Sequence, residues 1–230
     1  MRNILFFLLV LAATQSLPAQ RLPDHVYMQD IRTTKLFQQN NQQSMPLLVL
    51  GSSDLLELHF DDMCGYPRNY YYTFQLCNAD WSPADVNVFD YIKGFSQNRL
   101  SQYRVSSITK TKYVHYQALL PERNCVPVKS GNYLLKVFLD ADTSKLAFTK
   151  RMLVVDNKVI VGAQAQQPFD NEVLRTHQKI QFSVNTLQLN ILSTQQVKAV
   201  VLQNRSEEST SESQSHSGHL SRIWTDTITI

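Results

Sequence analysis

Residues 69–83 constrain the fold most. Tyr70-Tyr71-Tyr72-Thr73-Phe74-Gln75-Leu76 is an aromatic run that halts in Asn78-Ala79-Asp80-Trp81-Ser82-Pro83. Tyr and Phe suit the pleated, half-buried surface of a sheet, whereas Asn, Asp, Ser and Pro favour turns. A strand ending in a polar corner capped by a tryptophan follows, and with it an all-β class.

Together with it, short apolar runs fall at 31–38, 47–50, 55–61, 113–119, 132–139 and 147–155. Turn signals such as Gly51-Ser52-Ser53-Asp54, Gly65-Tyr66-Pro67 and Lys129-Ser130-Gly131 separate them. Leu56-Glu57-Leu58-His59-Phe60 alternates as a strand with one buried face should. Strands at this spacing predict an immunoglobulin/fibronectin-like β-sandwich. Gly131-Asn132-Tyr133 is how a penultimate strand of such a domain opens. Its Tyr turns inward and bonds its hydroxyl to backbone at the corner.

The stretch 86–110 shows no strand period and reads as a loop crossing one face of the sandwich. Long loops of that kind are often functional. From Val159 a second β unit begins, with strands expected at 178–184 and 197–202. Residues 205–219 are nearly all Ser, Glu, Gln, His and Thr, a composition with nothing to pack. The expected organisation is a signal peptide over 1–20, a sandwich over 21–157, the start of an incomplete second domain over 158–204, and a disordered or out-of-frame tail over 205–230.

Met1 to Gln20 has Arg2 before a short apolar core and a small residue, Ala19, at the expected cleavage position. The core is shorter than the ~20 residues a membrane-spanning helix needs. The formal charge of +3 is spread without a Lys/Arg block, so neither nucleic acid nor an anionic membrane is an expected partner. An odd cysteine count, Cys64, Cys77 and Cys125, leaves at least one thiol over in an oxidising compartment. Cys64–Cys77 is one candidate bridge, and buried unbonded thiols are the alternative.

No phosphate loop, His-Glu-x-x-His or nucleophile elbow is present, so no enzyme activity and no cofactor are expected. Asp54, Glu57, Asp61 and Asp62 form the densest acidic cluster. Two carboxylates can act as acid and base or bind calcium, but Asp61-Asp62 at a strand end reads as a solvated turn. His25, His59 and His115 are scattered, and a metal site built from them is not expected.

The aromatics carry the sharper functional reading. Tyr70 and Tyr72 are placed on one strand face and Tyr71 with Phe74 on the other, one set filling the core. The remainder joins Trp81, Tyr91 and Phe95 in a partner-binding surface. Tyr70, Tyr72, Trp81, Tyr91 and Phe95 are the candidate contact residues. The alternative use of exposed Tyr and Trp is a carbohydrate-binding module.

An ordered series of short motifs carries a resemblance. It runs from Asp24-His25-Val26-Tyr27 and Ile31-Arg32-Thr33 through Leu58-His59-Phe60-Asp61-Asp62 and Asn69-Tyr70-Tyr71-Tyr72. Cys77-Asn78-Ala79-Asp80-Trp81, Asp90-Tyr91-Ile92-Lys93-Gly94-Phe95, Tyr113-Val114-His115-Tyr116, Ser130-Gly131-Asn132-Tyr133 and Gln203-Asn204 complete it. In these residues the chain resembles the plug-protein family of the Bacteroidota type IX secretion system. The chain departs at Leu76, where the family usually has His. It also departs after Asn204, where members continue into a completed second β domain; a shifted reading frame or a truncation is the expectation there.

The resemblance implies a non-enzymatic periplasmic protein, peripheral to the outer membrane. Its implied partner is the giant outer-membrane translocon barrel of the SprA/Sov type, whose unoccupied pore it closes. Membrane association is then through that partner alone.

Overall fold

The structure, a computed structural model, describes residues 24–168, 177–185, 200–203, 206–209 and 221–229. The expected leader and its cleavage position Ala19 lie outside them. The chain divides into two compact units, Met1–Asp156 and Asn157–Ile230.

The first unit is built from short strands: β1 (His25–Val26), β2 (Ile31–Gln38), β3 (Leu47–Val49), β4 (Leu56–Asp62), β5 (Tyr70–Cys77), β6 (Ile92–Gly94), β7 (Asn98–Arg99), β8 (Tyr103–Val105), β9 (Val114–Leu120), β10 (Cys125–Pro127), β11 (Gly131–Leu139) and β12 (Leu146–Val155). Among the described residues there is no α-helix, only a 3-10 turn at Val88–Asp90.

One sheet has six strands in the order β1-β12-β11-β5-β7, with β3 added in parallel to the far end of β12. The other runs β2-β4-β9-β8. Alternation in β4 is strict, with Leu56, Leu58 and Phe60 wholly buried and their neighbours half-exposed. That is the period-2 signature of a strand with one core face.

The two sheets face each other across an aromatic centre. Phe60 of β4 stacks on Tyr116 of β9, and meets Tyr70 of β5 and Phe148 of β12 edge-on at 5.1 and 5.0 Å. Each such ring contributes about 2–3 kcal/mol by burial alone. The fold is therefore a β-sandwich. Tyr133 is fully buried and its hydroxyl donates to the Lys129 carbonyl at 2.9 Å, the inward-turned corner tyrosine expected from the sequence.

The second unit holds an antiparallel sheet of β13 (Ile160–Gln166), β14 (His177–Asn185) and β17 (Ser221–Thr229), and a pair β15 (Val200–Gln203) and β16 (Ser206–Ser209). Phe182 and Val184 of β14 are its buried apolar residues among those described. Within 205–230, the stretch expected to be disordered or out of frame, the described residues are those of β16 and β17. β17 begins beyond 205–219, the part whose composition has nothing to pack, and its β-branched residues Ile223, Thr225, Thr227 and Ile228 suit a strand.

Candidate docking surface

Strand β5 sends Tyr70, Tyr72 and Phe74 inward, at 0%, 0% and 1% exposure, and leaves Tyr71, Thr73 and Gln75 half-buried outside. The sequence reading misassigned Phe74. Residues 70, 72 and 74 share parity, so all three belong to one face. Tyr70 and Tyr72 are core residues and present no ring to a partner.

The corner after β5 is a closed hydrogen-bonded turn. Asn78 N–H donates to Ser82 O at 2.8 Å, Trp81 N–H to Asn78 O at 3.1 Å, and Ala84 N–H to Leu76 O at 3.0 Å. Asp80 accepts the Ser82 amide at 3.0 Å. Bonds from Ser82 hold the Asp80 carboxyl below its usual range. Trp81 adopts φ +64, a left-handed conformation that a bulky residue takes only where surroundings impose it. The Arg151 guanidinium lies over its half-buried ring, 5.3 Å from the centroid. Asp24 fixes that Arg, its Oδ2 accepting from Nε at 2.7 Å. Trp81 therefore already has a cation on its face, and with Tyr70 and Tyr72 buried these residues assemble no flat platform for a sugar.

The stretch 86–110 is not a plain loop. Asn87 caps the 3-10 turn by accepting from Phe89 N–H at 3.0 Å. Tyr91 is 7% exposed and packs edge-on against Tyr133, so it too leaves the list of partner contacts. Strand β6 then pairs with β10. Gly94, at φ +100, lets this pair close, since a Cβ there would overlap the Asn124 carbonyl. Next β7 extends the six-stranded sheet beside β5, and β8 extends the four-stranded sheet beside β9. Leu100, between them, is buried in the core. The segment crosses from one layer to the other and is bonded to both.

Two rings stand out on it. Phe89 is 71% exposed and Phe95 64% exposed, on either side of β6. Phe95 is the candidate contact that does face solvent. Phe89 was missed because it sits between Val88 and Asp90 with no period to mark it. Also missed was a diffuse charge bias: between Tyr91 and Pro121 the chain has five Lys or Arg and no Asp or Glu.

The acidic cluster resolves into two different arrangements. Asp62 is no solvated turn residue: it is fully buried, held by Arg68 through Nε at 2.6 Å and Nη2 at 2.7 Å. The Cys64 amide and the Tyr70 hydroxyl add bonds of 3.0 and 2.9 Å. Burial pushes its pKa up, but these partners outweigh it and hold the carboxyl below the usual range. Every oxygen of Asp62 is thus committed to the fold, an unsuitable state for general-base work. On the outer face of the four-stranded sheet, Asp61 bonds His115 at 2.7 Å, His115 meets His59 at 3.1 Å, and His59 approaches Glu57 at 3.4 Å. Register explains this, because β4 and β9 set Asp61 opposite His115. Among the described residues no group of three or more His, Cys, Asp or Glu is arranged to hold a metal.

The cysteines lie apart. Cys64 donates to Asp30 at 3.1 Å at the Arg68 end of the sandwich. Cys77 closes the opposite end of β5, seven residues beyond Tyr70, which at about 3.3 Å per residue is ~23 Å. A Cys64–Cys77 bridge does not fit this geometry, and all three thiols are free. No helix among the described residues is long and apolar enough to cross a membrane.

Comparison with known proteins gives two likenesses. A family model described as type 9 secretion system plug protein 1st domain matches residues 31–156, ending where the first unit ends. Among solved structures, a hypothetical protein from Parabacteroides merdae is similar at a TM-score of 0.77 and 23% identity. The match covers 89% of this chain and 52% of that one, so the chain spans about half the length of that structure. No curated protein matches.

Proposed function

Since this chain belongs to the type 9 secretion system plug protein family, we propose that it docks on the periplasmic side of the outer-membrane translocon barrel and closes its unoccupied pore. The family match over 31–156 carries this reading, because it spans every strand of the sandwich from β2 to β12. The physical task asks for no chemistry. It asks for a stiff body with a fixed surface, and a sandwich with an aromatic core supplies one.

The contact region is the 86–110 crossing segment, with Phe89 and Phe95 as its exposed rings. Aromatic residues, Phe among them, are enriched in protein interfaces relative to the rest of the surface. Trp81, braced by Arg151, forms a neighbouring structural corner. The protein acts in the periplasm, reached through a cleaved leader, and meets the membrane only through the barrel.

The test is co-purification of the tagged protein from outer-membrane extracts of its host, with the associated proteins identified by mass. A giant barrel of the SprA/Sov type should accompany it. Recovery of the protein alone, or with a glycan-processing complex instead, would overturn the plug reading.

A further inference from the structure

The four-stranded sheet ends at β8, whose one partner strand among the described residues is β9. Its pairing fixes which backbone groups face out. Gln117 N–H donates to Gln102 O at 3.1 Å, and Ser106 N–H to Tyr113 O at 2.9 Å. In an antiparallel ladder hydrogen-bonded and non-bonded pairs alternate, so Gln102, Arg104 and Ser106 bond inward. Tyr103 and Val105 therefore turn their N–H and C=O groups away from β9, into solvent. All three residues of β8 are exposed, Tyr103 at 47% and Val105 at 50%.

The side chains on this edge are of two kinds. Tyr103 and Val105 lie opposite the core residues Tyr116 and Val114, so they extend the apolar inner face beyond the last covered strand. Arg104 lies opposite His115 on the outer face. Lys110 and Lys112 follow in the exposed β8–β9 turn, and no carboxylate occurs between Tyr91 and Pro121. Exposed edges invite added strands, and cationic residues are a known guard against pairing with a like edge. A second copy of β8 in antiparallel register would set Arg104 against Arg104. A strand with acidic residues meets no such barrier.

We propose that the β8 edge is a strand-addition site for an extended partner segment that alternates acidic and apolar residues. Four outward backbone groups of Tyr103 and Val105 supply the ladder. The apolar residues of the segment continue the inner face beside Tyr103 and Val105, and its carboxylates meet Arg104, Lys110 and Lys112. This edge lies in the same 86–110 segment as Phe89 and Phe95, but strand addition to it uses neither ring and its test does not involve the barrel.

The test uses the full chain and a fluorescein-labelled seven-residue peptide alternating Glu and Val, read by anisotropy. Saturable binding is expected. Methylating the peptide nitrogens on its pairing side keeps the charge and removes the backbone donors. It should weaken binding about tenfold, the worth of one or two net hydrogen bonds. Val105→Pro should do the same while leaving the β9 ladder intact, since that N–H points outward. Lys110→Glu with Lys112→Glu, in the turn outside the ladder, should weaken binding too. Equal affinity for the N-methylated peptide would overturn strand addition, and equal affinity for a Lys/Val peptide would overturn the acidic partner. Dimerisation of the chain abolished by Val105→Pro would assign the edge to a second copy and overturn the proposal.

Discussion

Arg68 grips Asp62 through two parallel hydrogen bonds beneath the turn that joins β4 to β5. The Arg68 backbone N–H and C=O are both taken by the Tyr116 hydroxyl, at 2.7 and 2.9 Å. One ion pair thus ties a turn to both sheets. Breaking a buried pair by removing one partner leaves an uncompensated charge and costs about 3–5 kcal/mol. Arg68→Ala and Asp62→Ala should each lower the urea midpoint accordingly.

The same pair sets an acid limit. The folded-state pKa of Asp62 lies below its unfolded value. Its contribution is therefore complete above about pH 4 and is lost as pH falls through the lower folded value. Urea unfolding at pH 7, 4 and 3 should show wild type losing more stability over that range than Asp62→Asn. Equal slopes would show that Asp62 is not the titrating group.

Tyr133→Phe keeps the buried ring but strands the Lys129 carbonyl. A loss of about 1 kcal/mol is expected in equilibrium unfolding. The effect isolates the hydroxyl from the packing.

Gly94→Ala meets two obstacles, a positive φ and the Asn124 carbonyl. It should destabilise by roughly 1–3 kcal/mol and separate β6 from β10. Hydrogen exchange of the Lys93 and Val126 amides should speed up with it.

Phe89→Ala with Phe95→Ala should leave the melting curve within about 0.5 kcal/mol of wild type, as exposed substitutions do. Recovery of the barrel in co-purification should fall sharply. Tyr91→Ala is the contrasting variant: it opens a cavity against Tyr133 and should destabilise by about 3 kcal/mol or more.

Burial, then the Asp30 hydrogen bond and the Asp62 charge, raise the Cys64 thiol to about 11. Cys125 is wholly buried and raised by burial to about 12. At pH 8 both remain thiols, so alkylation of the native protein should be slow. After denaturation mass spectrometry should count three free thiols.

Strands that bury one face announced themselves by alternation, as β4 and β11 show, and the corner tyrosine announced itself through Gly131. Strands of two or three residues did not. β6, β7 and β8 have no room for a period, and their state is set by partners far along the chain. Asp62 was misread for a related reason. Its neighbour in sequence is Asp61, but its neighbour in space is Arg68, brought back by the Gly65-Tyr66-Pro67 turn. The aromatic surface was half legible: composition identified rings, but only parity and depth separate Tyr72 from Phe95.

The crossing segment has a mechanical consequence. Between residues 92 and 105 the chain is bonded in turn to β10, to β5 in one layer and to β9 in the other. A force applied at Phe95 is shared among three separate ladders and resolved partly along their strands. Prising the layers apart on that side requires β7 to peel from β5 or β8 to peel from β9. A body seated against a pore by this segment would carry thrust through its frame.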